Sequence, residues 1–258
     1  AADWPDPPAA WRCSAPAPTA APSPPISFAP ECASGPGGHP ANLLIWGDSH
    51  AGRLYPGVRR LFGPEVGIGQ LTRDECPPVL GFGSPNCIAS NAAILATLRV
   101  QSPRELLLFG YWDFYVRDSK AAPKLYAAMA RTITDLRAAG LHDIVVVGPA
   151  PRWREGLPRR VYRQWSSNFP VRHIPERLAS GYDPETNDHD AHLRATVEAA
   201  GGTYVSLMNI LCNVEGCLAS VPGAPGTLLA WDYGHLTTEG AELVARRIQG
   251  MGLLDLGS

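Results

Sequence analysis

The chain has 258 residues, 45% of them hydrophobic, and a formal net charge of −2; that is enough for one large α/β domain with a sizeable core. The near-neutral balance argues against a nucleic-acid binder, which draws on a basic excess. No run approaches the ~18 continuous apolar residues of a membrane span. No basic segment followed by an apolar run marks a signal peptide, and Ala1-Ala2-Asp3 fits either a removed leader or a cut in a longer protein.

Residues 1–40 hold many of the 26 prolines, a total about twice the usual share. The stretch from Ala15 to Pro25 reads as an extended, polyproline-like linker, so residues 1–40 are taken as a tether or wrapping arm and residues 41–258 as the catalytic domain. The domain opens with Asn42-Leu43-Leu44-Ile45-Trp46, an uninterrupted apolar run of the kind a buried parallel strand shows. A helix over 52–62 and a second strand over 66–71 follow. Residues 88–100 have helical spacing, and 105–109 is a strongly apolar third strand. Leu125, Met129, Ile133 and Leu136 form a helix stripe over 124–139, with Gly140 as its stop. Residues 143–148 are the clearest strand in the chain. A helix over 191–200, capped by Asp188 or Asp190, a fifth strand over 203–207 and a closing helix over 238–249 complete the series. Alternating strands and helices predict a three-layer α/β/α, flavodoxin-like domain with about five parallel strands. Ligands in such sheets bind at the carboxyl ends of the strands.

The six cysteines fall as three sequence-near pairs, Cys13 and Cys32, Cys76 and Cys87, Cys212 and Cys217. An even count with local spacing points to disulfides and an oxidising, extracytoplasmic compartment. Nearest-neighbour pairing is the simplest of several connectivities. Zinc is the rival reading, disfavoured because no CxxC occurs and no histidine stands at ligand spacing from a pair.

Gly47-Asp48-Ser49-His50 follows the first strand directly. A strand-to-helix turn exposes a serine hydroxyl, and the helix N-terminus points amides and the positive end of its dipole at a developing oxyanion. Asp48, adjacent to the serine, is better placed to bind turn amides than to orient a base. Near the last helix stands Trp231-Asp232-Tyr233-Gly234-His235-Leu236. The Asp232–His235 spacing lets a carboxylate hold imidazole Nδ1 and leaves Nε2 for the serine. Read singly, Ser49 is a helix N-cap, Asp232 a turn residue and His235 a half-buried loop histidine. In combination they read as catalytic Ser49, Asp232 and His235.

These blocks resemble those of SGNH hydrolases, also called GDSL-like esterases: Gly47-Asp48-Ser49-His50 resembles the first block and Asp232-Tyr233-Gly234-His235 the last. The chain from about Asn42 to Gly250 is most similar to the SGNH domain fused behind the membrane-embedded acyltransferase-3 domain of bacterial polysaccharide O-acetylation proteins. Cys76-Pro77-Pro78, Tyr111-Trp112, Pro149-Ala150-Pro151-Arg152-Trp153, Leu157-Pro158 and His235-Leu236-Thr237 carry that likeness. The resemblance implies serine esterase or transacetylase chemistry on glycan hydroxyls in the periplasm or at the outer face of the inner membrane. It implies no metal or other cofactor. The partners it implies are a carbohydrate acceptor, an acyl donor and a fused or associated acyltransferase-3 domain; nucleic acid is not among them.

The wider family builds its oxyanion hole from the serine amide, a glycine after the second strand and an asparagine after the third. Here Gly110-Tyr111-Trp112-Asp113 follows the third strand without an asparagine. Gly69 is the nearest glycine, with Thr72 and Arg73 close behind. The Trp112 indole N–H is a candidate donor against its plainer role as a packed aromatic, and Asn86 and Asn91 are possible substitutes. Arg152, Arg154, Arg159, Arg160 and Arg163 form a basic segment suited to an anionic glycan or lipid headgroups, or simply to solvent. Trp153 and Trp165 can stack on sugars or pack, so Trp153 and Arg154 mark a candidate substrate loop. Asp188, His189, Asp190 and His192 resemble a metal cluster on paper, but helix capping is the better reading. The rivals to the acyl-transfer reading are a stand-alone lipase or thioesterase, and a glycan-binding module without turnover. The sequence does not fix oligomeric state.

Overall fold

The computed structural model describes residues 13–19, 21, 26–35, 38–118, 120–167, 173–224 and 226–256. Strands β1 (Ser14–Ala15), β2 (Leu43–Gly47), β3 (Ile68–Arg73), β4 (Glu105–Phe109), β5 (Asp143–Val147) and β7 (Thr203–Val205) form one sheet. Its order is β1-β3-β2-β4-β5-β7 and every pairing is parallel. A small antiparallel sheet joins β6 (Arg177–Leu178), β9 (Gly216–Leu218) and β8 (Cys212–Asn213) in that order. The helices are α1 (Ser49–Phe62), α2 (Pro85–Gln101), α3 (Trp112–Tyr115), α4 (Ala122–Ala138), α5 (Leu157–Ser167), α6 (Glu185–Ala199), α7 (Leu207–Leu211) and α8 (Thr238–Gln249).

Alternation along the buried strands sorts side chains into two cores, because successive residues face opposite sides of a sheet. Leu43, Ile45, Leu107, Phe109, Val145 and Val147 pack with Leu54 and Val58 of α1 and Val244 and Ile248 of α8. Leu44, Trp46, Leu106, Leu108, Ile144 and Val146 pack on the other face with Ile94 of α2, Met129 and Ile133 of α4, and Leu193 of α6. The expected α/β/α sandwich therefore holds. The order β3-β2-β4-β5-β7 reverses direction at β2, and the carboxyl end of that strand is the crevice of a flavodoxin-like sheet.

Four sequence expectations change in detail. The sheet has six strands, because Ser14–Ala15 of the proline-rich segment adds a parallel edge to β3. Two small residues give no hydrophobic signal; Thr72 N–H to Cys13 O and Asp74 N–H to Ala15 O hold them there. β3 starts two residues later than expected and runs on through Thr72 and Arg73. α1 starts at Ser49 itself. α6 starts at Glu185, so Asp188 and Asp190 lie inside it rather than capping it; Asp183 Oδ1 instead accepts the Glu185 N–H at 3.2 Å. The cysteines pair with their sequence neighbours, Cys13–Cys32, Cys76–Cys87 and Cys212–Cys217.

Candidate active site

Strand register brings three loops to one point. Gly47 lies opposite Thr72 of β3 on one side and Phe109 of β4 on the other. Asp74–Glu75 and Gly110–Tyr111 therefore run beside Asp48–Ser49. Gly47 allows this closeness: a Cβ there would stand 1.8 Å from Phe109 O and 2.6 Å from Ala51 Cβ.

Ser49 is the first residue of α1, where backbone amides lack intrahelical partners and the helix dipole is positive. Its Oγ lies 2.8 Å from His235 Nε2. His235 Nδ1 lies 2.6 Å from Asp232 Oδ2. Asp232 Oδ1 accepts the backbone N–H of Gly234 at 2.9 Å and of His235 at 2.8 Å. The three predicted residues thus form one continuous hydrogen-bonded chain. Burial pushes the Asp232 carboxyl upward, but the hydrogen bonds from His235 and the two amides outweigh it and hold the group below its ordinary value. An ionised Asp232 accepts only, so Nδ1 carries the proton and Nε2 offers its lone pair to the serine. The loop is braced from behind: Trp153 N–H donates to Tyr233 O and Leu157 N–H to Asp232 O, both at 2.8 Å.

Asp48 is buried and serves as a clamp. Its Oδ1 accepts His50 N–H at 2.8 Å, and its Oδ2 accepts Tyr111 N–H at 2.8 Å and Tyr115 O–H at 2.6 Å. Burial pushes its carboxyl up to about 6 against the pull of these donors and of His235. Burial also raises the Tyr115 phenol well above its ordinary value, with the Asp48 charge adding to the effect, so it stays a donor.

The chain of three opens on a cleft of about 1210 Å³, more room than an acetyl group needs and above the usual range of small-ligand pockets. Tyr111, Phe114 and Tyr233 give it an aromatic wall, with Tyr111 stacked on both of the others. Arg117 lies over the Tyr111 and Phe114 rings. Trp231 stacks on His235 at 5.2 Å, and Arg53 covers the Trp231 ring at 5.4 Å. Asp74, Glu75, Arg152 and Arg154 also line the cleft. Glu75 holds φ at 57°, a left-handed backbone that side chains other than glycine adopt uncommonly.

The structure moves several other candidates away from the chemistry. Gly69 sits opposite Leu44 in the body of β3, where a Cβ would meet Cys32 O at 2.7 Å; it packs against the N-terminal segment rather than facing Ser49. Trp112 is fully buried and its indole N–H is spent on Val147 O at 2.7 Å. Asn91 donates to Pro77 O and Val79 O, and Asn86 to Thr19 O and Ala21 O. The Tyr111 amide, next after the third strand, is bound to Asp48 Oδ2 at 2.8 Å. Trp153 is 2% exposed and belongs to the core, so it offers no sugar platform, whereas Arg154 is an exposed cleft residue paired with Asp183 at 3.6 Å.

The Asp188–His192 segment links elements instead of capping a helix. His189 Nδ1 meets Asp113 Oδ1 at 2.7 Å, and Asp190 accepts Tyr204 O–H and Ser206 O–H. Among the described residues, no group of three or more His, Cys, Asp or Glu is placed to hold a metal ion. His50, Tyr111, Tyr115, Tyr233 and Trp231 were not singled out from sequence as site residues; an aromatic next to a motif carries no signal that separates packing from function.

Fold and site together define an SGNH-type protein, and the family profile described as "SGNH domain (fused to AT3 domains)" matches residues 12–250. The chain belongs to this family. Among solved structures it is similar to the periplasmic domain of a lipopolysaccharide acetyltransferase from Salmonella ser. Paratyphi A, at 25% identity and a TM-score of 0.73, over 82% of this chain and 83% of that one. It shares the fold of a carbohydrate acetylesterase family member from Sinorhizobium meliloti, at 12% identity and a TM-score of 0.51 over 84% and 100% of the two chains. The carbohydrate acetylesterase Est24 of the same organism stands at 11% and 0.51 over 82% and 99%. No curated protein matches the sequence.

Proposed function

We propose that this domain is a serine-dependent O-acyl esterase or acyltransferase that moves an acetyl group on or off hydroxyls of a bacterial glycan, outside the cytoplasmic membrane. The observation that carries the proposal is the unbroken chain Ser49 Oγ–His235 Nε2, His235 Nδ1–Asp232 Oδ2, at 2.8 and 2.6 Å. Ser49 Oγ attacks the acyl carbonyl while His235 Nε2 takes its proton. The tetrahedral oxyanion lies at the start of α1, where the Ser49 amide and the helix dipole offset its charge. His235, now cationic and held by Asp232, returns the proton to the departing oxygen, leaving an acyl-Ser49 ester. Water or a sugar hydroxyl then gives its proton to His235 and its oxygen to the carbonyl, and Ser49 is regenerated.

Transfer is the outcome that the likeness to an acetyltransferase domain supports. A cleft of about 1210 Å³ has room for an acceptor beside the acyl group. Three disulfides support an oxidising compartment. In the fused arrangement that the family description names, a membrane acyltransferase-3 domain supplies the acyl group. The test is hydrolysis of p-nitrophenyl acetate by the wild type and Ser49→Ala, with intact mass after a fluorophosphonate. Turnover or a single adduct in the wild type and neither in the variant is expected. Identical behaviour of the two proteins would reject the reading and leave a glycan-binding module.

A further inference from the structure

The residue after the nucleophile is a second imidazole that the mechanism above does not use. His50 is 3% exposed, and its ring touches both the end of β4 with its following loop and the loop that carries Asp232 and His235. It stacks on Tyr111 of the β4 loop, centroids 4.8 Å apart at 19°, and meets Phe109 edge-on at 5.8 Å. On the other loop it lies 4.4 Å from the His235 ring at 36° and 6.0 Å from Tyr233. Gly234 presses against it so closely that a Cβ there would stand 3.2 Å from His50 Cε1. Its own backbone is fixed by the N–H bond to Asp48 Oδ1.

His50 Nε2 is buried without a hydrogen-bond partner. A polar atom so placed costs stability, so hydrogen bonding through Nε2 does not explain the ring. Burial, and secondarily the charge on His235, push its imidazole well below the ordinary histidine value, while Asp232 pulls weakly the other way. The His50 ring is therefore an uncharged aromatic plate, tilted 36° against the His235 ring.

We propose that His50 is a positioning residue: its flat ring is the floor on which His235 rests, and it fixes the His235 plane so that Nε2 faces Ser49 while Nδ1 faces Asp232. The proposal rests on the reading of Ser49 and His235 as nucleophile and base. Trp231 and Tyr233, the other rings against His235 among the described residues, belong to the same loop as His235, whereas His50 reaches it from the strand-to-helix turn. The contact with His50 ties that loop to the strand-to-helix turn that carries Ser49, so both ends of the proton path are registered against one ring.

The experiment compares wild type, His50→Ala and His50→Phe. The measurements are thermal unfolding, kcat and KM on p-nitrophenyl acetate, and the low-field proton resonance of the His235 Nδ1–H···Asp232 bond. Displacing a catalytic group by about 1 Å costs on the order of 10²-fold. His50→Ala is therefore expected to lose roughly 10²-fold in kcat with KM little changed, and to broaden the low-field resonance. His50→Phe, which restores the plate without the nitrogens, is expected to recover most of kcat and the sharp resonance. A folded His50→Ala with wild-type kcat and resonance would overturn the proposal. So would a folded His50→Phe as impaired as a variant with no ring. If His50→Ala does not fold, His50→Phe decides alone. Failure of the wild type to react with a fluorophosphonate would instead strike the catalytic reading, and the resonance comparison would still test the positioning of His235.

Discussion

Replacing Asp232 with Asn isolates what the carboxylate does for His235. Oδ1 would still accept the Gly234 and His235 amides now bound at 2.9 and 2.8 Å, so the loop should keep its shape. The Oδ2 side, 2.6 Å from His235 Nδ1, would become an NH2 donor. Nδ1 must then present its lone pair, which moves the proton to Nε2, the atom 2.8 Å from Ser49 Oγ. An imidazole protonated there cannot accept the serine proton. The charge term adds to this: a cationic His235 about 4 Å from a carboxylate gains about 4 kcal/mol at an effective dielectric of about 20, or roughly 10³ in rate. With the tautomer reversed as well, kcat on p-nitrophenyl acetate should fall by about 10⁴, the size seen when a triad carboxylate is amidated. The assay is kcat at pH 7.5 for protein with a wild-type unfolding temperature. A folded Asp232→Asn within tenfold of wild type would refute the argument that Asp232 sets the tautomer.

Two further outcomes follow from buried groups around the turn. Asp48 titrates at about 6 in the fold against an ordinary 3.8, so the native state binds more protons between those values. Its contribution to stability is therefore greatest in acid and is lost as pH rises from about 4 to about 6. Measured by urea unfolding, the stability of wild type relative to Asp48→Asn should rise by about 2 kcal/mol from pH 7.5 to 4.5; an unchanged difference would mean Asp48 is ionised throughout. Gly47→Ala would force a methyl to within 1.8 Å of Phe109 O. That clash is with backbone in mid-sheet, so the variant should lose more than about 3 kcal/mol or fail to yield folded protein; a wild-type unfolding curve would show that β2 and β4 can separate.

Much of the fold could be read from the sequence because the central strands are buried on both faces. Leu43 to Trp46, Leu106 to Phe109 and Ile144 to Val147 need apolar side chains at every position, and no other element of this length does. β1 could not be read, since Ser14 and Ala15 contribute backbone hydrogen bonds and no apolar mass. The polar start of α6 reads as a cap because Asp188, His189 and Asp190 look solvated, whereas His189 and Asp190 bond Asp113, Tyr204 and Ser206 across to other elements. The Ser49, Asp232 and His235 cluster was legible because few arrangements need those residue types at a strand end and before a last helix. The neighbours of Ser49 were not legible. They depend on where β3 ends, and Gly69 reads as the candidate because it is the glycine nearest the end of the expected second strand. Pairing of Gly47 with Thr72 puts Asp74 and Glu75 there instead.

The edge strand β1 carries a consequence for conditions of use. Ser14 and Ala17 line the cleft, and the chain that carries them is closed into a ring by the Cys13–Cys32 bond, spanning 19 residues. A ring of that size restricts the unfolded chain by about 3 kcal/mol, adding to the backbone hydrogen bonds that hold the two-residue strand. One rim of the cleft is thus tethered by the Cys13–Cys32 bond, while Ser49, His235 and Asp232 stand on elements that bond does not hold. Loss of that bond would leave Ser49, His235 and Asp232 in place and loosen the rim beside them.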